Sequence, residues 1–148
     1  MTERPILFSA EMVRAILDGR KTQTRRVIKE TTEHRGPINP AYLEAHKNHS
    51  GWKDICCYGQ PGDALFVPET EPRITLRITD IRVERLQEIT EADARAEGVK
   101  PLDYAAHHVA AGFGARIAFE QLWNDIKGPG AWEANPWVWV VSFERVKP

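Results

Sequence analysis

Cysteine is almost absent from this chain. It has two, Cys56 and Cys57, and they are neighbours. Adjacent cysteines seldom bridge each other, so a disulfide scaffold is not expected. No apolar run is long enough to span a bilayer. No apolar h-region follows the charged start at Met1 to Pro5, so a secretory leader is not expected either. Net charge is also lacking: 20 Lys and Arg against 21 Asp and Glu leave -1. That balance argues against a broad nucleic-acid-binding face, although a sum hides local clusters. There is no internal repeat and no low-complexity tract. From these absences the default expectation is a cytoplasmic protein.

What is present suits one compact domain over residues 1–148. At 42% apolar residues the chain can fill a real core. Pro5-Ile6-Leu7-Phe8 predicts a short buried strand. Ser9 can cap the helix that follows, with Glu11 favourable in its first turn. Met12, Val13, Ile16 and Leu17 fall on one helical face, and Gly19 ends it in a left-handed conformation. Thr22 to Ile28 alternates and is rich in β formers. Residues from about 30 to 60 show no clear period and predict a long excursion of the kind that often forms functional lids. Pro61-Gly62-Asp63 is a turn before the strand Ala64 to Val67.

Arg73 to Leu86 is the longest strand candidate. Ile74, Leu76 and Ile78 alternate, but Ile81 and Val83 have changed phase. A phase change within one strand predicts a bulge, and bulges let sheets curl into barrels. Thr90 to Asp93 resembles a capping box for a short helix closed near Gly98. Pro101 to Ala111 predicts a helical turn or two. Phe119, Leu122, Trp123 and Ile126 are spaced as one face of an amphipathic helix. Pro136 to Val146 is a last strand, apolar on both faces, which belongs inside a sheet. The order of elements predicts an α+β fold: a mixed sheet curled into a barrel, with helices packed outside.

The residues with most chemical content are Gly19-x-Lys21-x-x-Thr24-x-Arg26, placed between an apolar helix and a strand. Phe8, Pro61-Gly62-Asp63, Glu97-Gly98 and Trp123 followed by Asn135-Pro136-Trp137 appear in order around them. This set resembles the ASCH superfamily of PUA-like β-barrel domains over nearly the full length. It is most similar to the longer, often phage-borne branch. The resemblance implies a PUA-like barrel. It also implies amidohydrolase activity, because small bacterial members cleave the acyl amide of N(4)-acetylcytidine. Others are implicated in RNA binding, and some in RNA cleavage. By residue-by-residue match, the implied catalytic residues are Lys21, Thr24 and Glu97, with no metal and no cofactor. One departure is that Pro68-Glu69 stands where the longer branch commonly has Arg-Glu. The very short connection Thr70-Glu71-Pro72 would open one side of the pocket.

Chemistry makes sense of the three residues. Amide hydrolysis needs a nucleophile, a base, and an acid for the leaving nitrogen. A lysine can be the base if burial and cationic neighbours such as Arg25 and Arg26 depress its pKa. Glu97 could protonate the leaving amine or position water. Two divisions of labour fit these residues: Thr24 attacks, or water attacks and Thr24 binds substrate.

Arg20, Lys21, Arg25, Arg26 and Lys29 form a basic cluster. It suits either a phosphate or ribose contact, or a strand end paired with acids elsewhere. Arg26 shares the strand face of Thr24. The expected substrate-binding residues are Arg26, Arg25, Glu69, Phe8, Trp52 and Trp132. Trp123, Trp132, Trp137 and Trp139 suit a core, but Trp52 and Trp132 lie in Gly-rich loops and are the better candidates to stack on a pyrimidine. His46-x-x-His49 with Cys56-Cys57 matches no standard zinc spacing. The expected partner is a small nucleoside, with RNA the alternative and no membrane; the near-neutral charge favours a pocket over a long backbone track. No feature of the sequence sets the oligomeric state.

Overall fold

The computed structural model describes residues 3–29, 45, 56–68, 70–103 and 112–147. The expected excursion at 30–60 lies largely outside the described residues, and so does most of the helical turn expected at 101–111.

Among the described residues five strands form one mixed sheet. In chain order the elements are β1 (Glu3–Pro5), α1 (Ala10–Leu17), β2 (Gln23–Val27), β3 (Ala64–Val67), β4 (Ile74–Arg85), α2 (Glu91–Ala96), α3 (Gly114–Lys127) and β5 (Trp137–Val146). The order across the sheet is β1-β3-β4-β5-β2. β1 runs parallel to β3, and the other pairs are antiparallel. β5 lies between β4 and β2, so its double-sided apolar character is used on both faces.

The expected bulge falls where the apolar phase changes. The β4–β5 register shifts between Ile78 and Asp80. The shift keeps Ile74, Leu76 and Ile78 in the same core as Ile81 and Val83. It also adds local twist and curl. The curl stops short of closure. β1 and β2 stand at opposite edges of the sheet order, so the barrel is loosely curled rather than closed.

Two cores pack against opposite faces of β5. The first joins Trp137, Trp139, Val141 and Phe143 to Ile16 of α1 and the inward residues of β3 and β4. The second joins Val138 and Val140 to Ala94 of α2 and to Phe119 and Trp123 of α3. Ser9 caps α1 by accepting from the Met12 amide, and Thr90 caps α2 by accepting from the Asp93 amide. α3 has no cap of its own at Phe113. The Glu91 carboxylate supplies one from α2, accepting from the amides of Ala115 and Arg116 at 2.9 Å each. That contact holds the two helices together.

Two expectations need correction. The first strand is Glu3–Pro5, not Pro5 to Phe8. Ile6 is buried, but Leu7 is 71% exposed because the chain leaves the sheet to reach the Ser9 cap. The apolar face of α3 is only partly core: Phe119 and Trp123 are buried, whereas Ile126 is 62% exposed. Among the described residues no helix is long and apolar enough to cross a membrane.

Candidate active site

Lys21 reaches the site through the end of α1. Gly19 adopts φ +78°. The Gly19 amide donates to Ile16 O, and the Arg20 amide donates to Ala15 O. This pairing closes the helix with a Schellman motif and turns the chain at once. Lys21 then forms an isolated antiparallel bridge with Glu97, directly after α2. The Thr22 amide donates to Ala96 O at 2.7 Å. Gly98 makes this approach possible. Its φ is +96°, and a Cβ there would lie 2.9 Å from Lys21 Cβ and 3.0 Å from Ala15 Cβ. Arg20 braces the same turn by donating to Gly98 O at 2.8 Å.

The result is a buried, charged cluster. Lys21 and Glu97 are each 4% exposed. Lys21 Nζ donates to Gln23 O at 2.8 Å, Glu97 O at 2.9 Å and Glu97 Oε2 at 3.0 Å. Arg25 holds the other carboxylate oxygen, with Nη1 3.2 Å from Glu97 Oε1. Its Nη2 lies 2.6 Å from Glu84 Oε1 and 3.4 Å from Asp93 Oδ2. Burial lowers the Lys21 pKa from its ordinary value; Glu97 opposes that shift, while Arg26 and Arg25 add to it.

Thr24 and Arg26 project from the other face of β2, on the side of the first core. Arg26 Nε donates to Thr24 Oγ1 at 3.2 Å, and its Nη2 donates to Leu7 O at 2.8 Å. The guanidinium lies over the Phe8 ring, 5.1 Å from its centroid, and Lys21 Nζ lies 5.5 Å from the same ring. A cavity of about 300 Å³ runs alongside β2. Lys21, Thr24, Arg25, Arg26 and Glu97 line it, and Leu7, Phe8, Leu122 and Ile126 contribute to its apolar wall.

No family model and no curated protein matches the chain. Solved structures do. Protein EF3133 from Enterococcus faecalis, assigned to DUF984, aligns with 99% of this chain and 80% of its own, at 15% identity and a TM-score of 0.53. The hypothetical protein PH0355 aligns with 98% of this chain and 100% of its own, at 14% identity and a TM-score of 0.50. These likenesses extend over the whole sheet and its helices, and they speak to fold alone. The mixed sheet with helices packed on it agrees with the α+β architecture expected from the order of elements. The chain shares the fold of these two proteins.

Within this fold the expected site residues divide sharply. Lys21, Thr24, Glu97, Arg25, Arg26 and Phe8 all line one cavity. Arg25 is also taken up by three acids, with a fully buried side chain. Trp132 is a correction. It is 4% exposed and packs edge-on against Phe119 in the second core, with Arg116 over its ring, so it presents no stacking face to the cavity. Trp52 and Glu69 lie outside the described residues, as do His46 and His49. Cys56 sits in the first core, where hydrogen bonding to Cys57 and then burial push its thiol pKa up, which disfavours a thiolate ligand. Among the described residues no group of three His, Cys, Asp or Glu could hold a metal ion.

Sequence reasoning missed several contributors. Glu84, Asp93 and Arg82 complete the clamp around Arg25, with Arg82 Nη2 2.8 Å from Asp93 Oδ2. Leu122 and Ile126 looked like core positions and instead wall the cavity. No local signal separates a cavity-lining leucine from a core leucine.

Proposed function

We propose that this protein is a metal-independent amidohydrolase that removes the acyl group from N(4)-acylated cytosine nucleosides, giving a cytosine nucleoside and a carboxylic acid. The observation that carries this reading is the buried Lys21–Glu97 pair, at 3.0 Å, in one cavity with Thr24. A lysine whose pKa burial lowers can exist as the neutral amine that proton abstraction requires. The cavity is large enough for a nucleobase with its acyl group, and its apolar wall suits an uncharged substrate. The implied catalytic set of the resembled family coincides with these three residues.

A second reading is a non-catalytic RNA-binding module, with a ribonuclease using the same cleft as its variant. What favours it is that Lys21 Nζ has all three donors satisfied, as a purely structural ammonium would.

One substitution separates the readings. Incubation with N(4)-acetylcytidine should release cytidine, measured by chromatography, and Lys21→Arg should abolish the release. Arginine keeps the charge but never offers a free lone pair. Salt-sensitive RNA binding retained in Lys21→Arg, with no cytidine released by the unmodified protein, would establish the second reading.

A further inference from the structure

We infer that Arg25 is a positioning residue for the Lys21–Glu97 pair: anchored by Glu84 and Asp93, it claims one oxygen of the Glu97 carboxylate and leaves Lys21 the other. Its effect on turnover rests on the amidohydrolase reading above.

Arg25 has no accessible donor left for a ligand. Each terminal guanidinium nitrogen carries two hydrogens. Nη1 donates to Gln23 Oε1 at 3.0 Å and to Glu97 Oε1 at 3.2 Å. Nη2 donates to Glu84 Oε1 at 2.6 Å and to Asp93 Oδ2 at 3.4 Å. The last N–H, on Nε, is buried and has no partner among the described residues. What Arg25 can act on is therefore Glu97. The second oxygen of that carboxylate, Oε2, accepts from Lys21 Nζ at 3.0 Å.

The anchors of Arg25 come from two other elements. Glu84 belongs to β4 and Asp93 to α2, and Arg82 Nη2 lies 3.6 Å from the first and 2.8 Å from the second. Gln23 Nε2 donates to the free Asp93 oxygen, Oδ1, at 3.2 Å. The cations Lys21, Arg25 and Arg82 are thus matched by Glu84, Asp93 and Glu97. That match offsets the desolvation of a second cation beside Lys21. An apolar side chain could fill the same space without such desolvation, but it would leave both Glu97 oxygens to Lys21.

The arrangement bears on the protonation of Lys21. Burial opposes its ammonium form most, Glu97 favours that form, and the charges of Arg26 and Arg25 oppose it. Arg25 therefore counters the attraction by which Glu97 would keep Lys21 protonated. Two further titratable groups lie near: Tyr58, which acts on Arg26, and Lys127 of α3, which lines the cavity. Neither contacts Arg25 through a hydrogen bond given above, so substitution of Arg25 reads out its own charge.

The test follows the titration of Lys21 by NMR of isotope-labelled lysine, with its signal assigned by loss in Lys21→Arg. The unmodified protein is compared with Arg25→Met, Arg25→Lys and Glu84→Gln. Melting temperatures, and kcat on N(4)-acetylcytidine against pH, are measured alongside. Arg25→Met is expected to raise the pH at which Lys21 titrates by about one pH unit, the lower end of what one close charge does. Its kcat should fall about tenfold below that pH and recover above it. Arg25→Lys keeps the charge and should titrate close to the unmodified protein. Glu84→Gln leaves the Arg25 charge less neutralised, so Lys21 should titrate at lower pH. A folded Arg25→Met in which Lys21 titrates unchanged would overturn the inference, even if the protein melts earlier. An equal rise in Arg25→Met and Arg25→Lys would overturn it too. If Arg25→Met does not fold, Glu84→Gln decides: a downward shift supports the inference, and no shift or an upward one sinks it. An unmodified protein that releases no cytidine overturns the functional reading, and the NMR titration still judges Arg25.

Discussion

Burial of the Lys21 side chain penalises its ammonium form, and Glu97 offsets part of that penalty. The amine that can take a proton is the neutral form, and its fraction grows as pH rises. Turnover is therefore expected to increase with pH through an apparent pKa below the ordinary lysine value of 10.5. A rate that falls over that range, measured with N(4)-acetylcytidine, would contradict Lys21 as the base. Arg25 and Arg26 show how much one residue of offset decides. Neighbours on a strand point to opposite faces. Arg26 meets Thr24 and Phe8, whereas Arg25 turns to Glu84, Asp93 and Glu97. The shared face of Thr24 and Arg26 was legible from spacing. The acids that take up Arg25 were not, because they lie 59 to 72 positions away.

At the scale of elements, the site depends on two glycine turns meeting. Gly19 ends α1 and Gly98 follows α2, and between them Lys21 and Glu97 pair. The stop at Gly19 was legible, since a glycine after an apolar helical face signals it. The close approach at Gly98 was not, because its neighbours Ala15 and Lys21 come from another part of the chain. Gly98→Ala combines a strained positive φ with contacts at 2.9 and 3.0 Å. It should cost about 1–3 kcal/mol in urea denaturation. It should also lower turnover by more than that loss of folded protein explains, because the bridge must move. Stability and turnover both equal to the unmodified protein would show that the bridge tolerates a Cβ. The helix α3 teaches the opposite lesson: its period was correct, but one part of its apolar face lines the cavity instead of the core.

Across the whole molecule, β5 serves both cores. Val140 faces the helices α2 and α3, and Val141 faces the curled interior beneath α1. Adjacent residues of one strand thus report on different cores. Because the strand is common to both, the two cores should unfold in one transition. Val140→Ala and Val141→Ala should each lower stability by about 1–3 kcal/mol. Each should shift the same single urea transition, seen alike by tryptophan fluorescence and far-ultraviolet circular dichroism. Separate transitions for the two variants would mean that the cores are independent.

The sequence by itself determined the elements whose signals are local. Period, caps and turn residues placed α1, β2, β3 and α2 within a residue or two, and the phase change in β4 marked its bulge. The ordered motifs also pointed to Lys21, Thr24 and Glu97. Tertiary structure alone decided what those residues touch. It left the barrel open, moved the first strand toward the terminus and buried Trp132. It also paired Arg25 with three acids and Arg26 with Thr24 and Leu7. The physical reason is range. Backbone conformation responds to neighbours a few positions away, whereas burial and charge pairing are set by residues that only folding brings together.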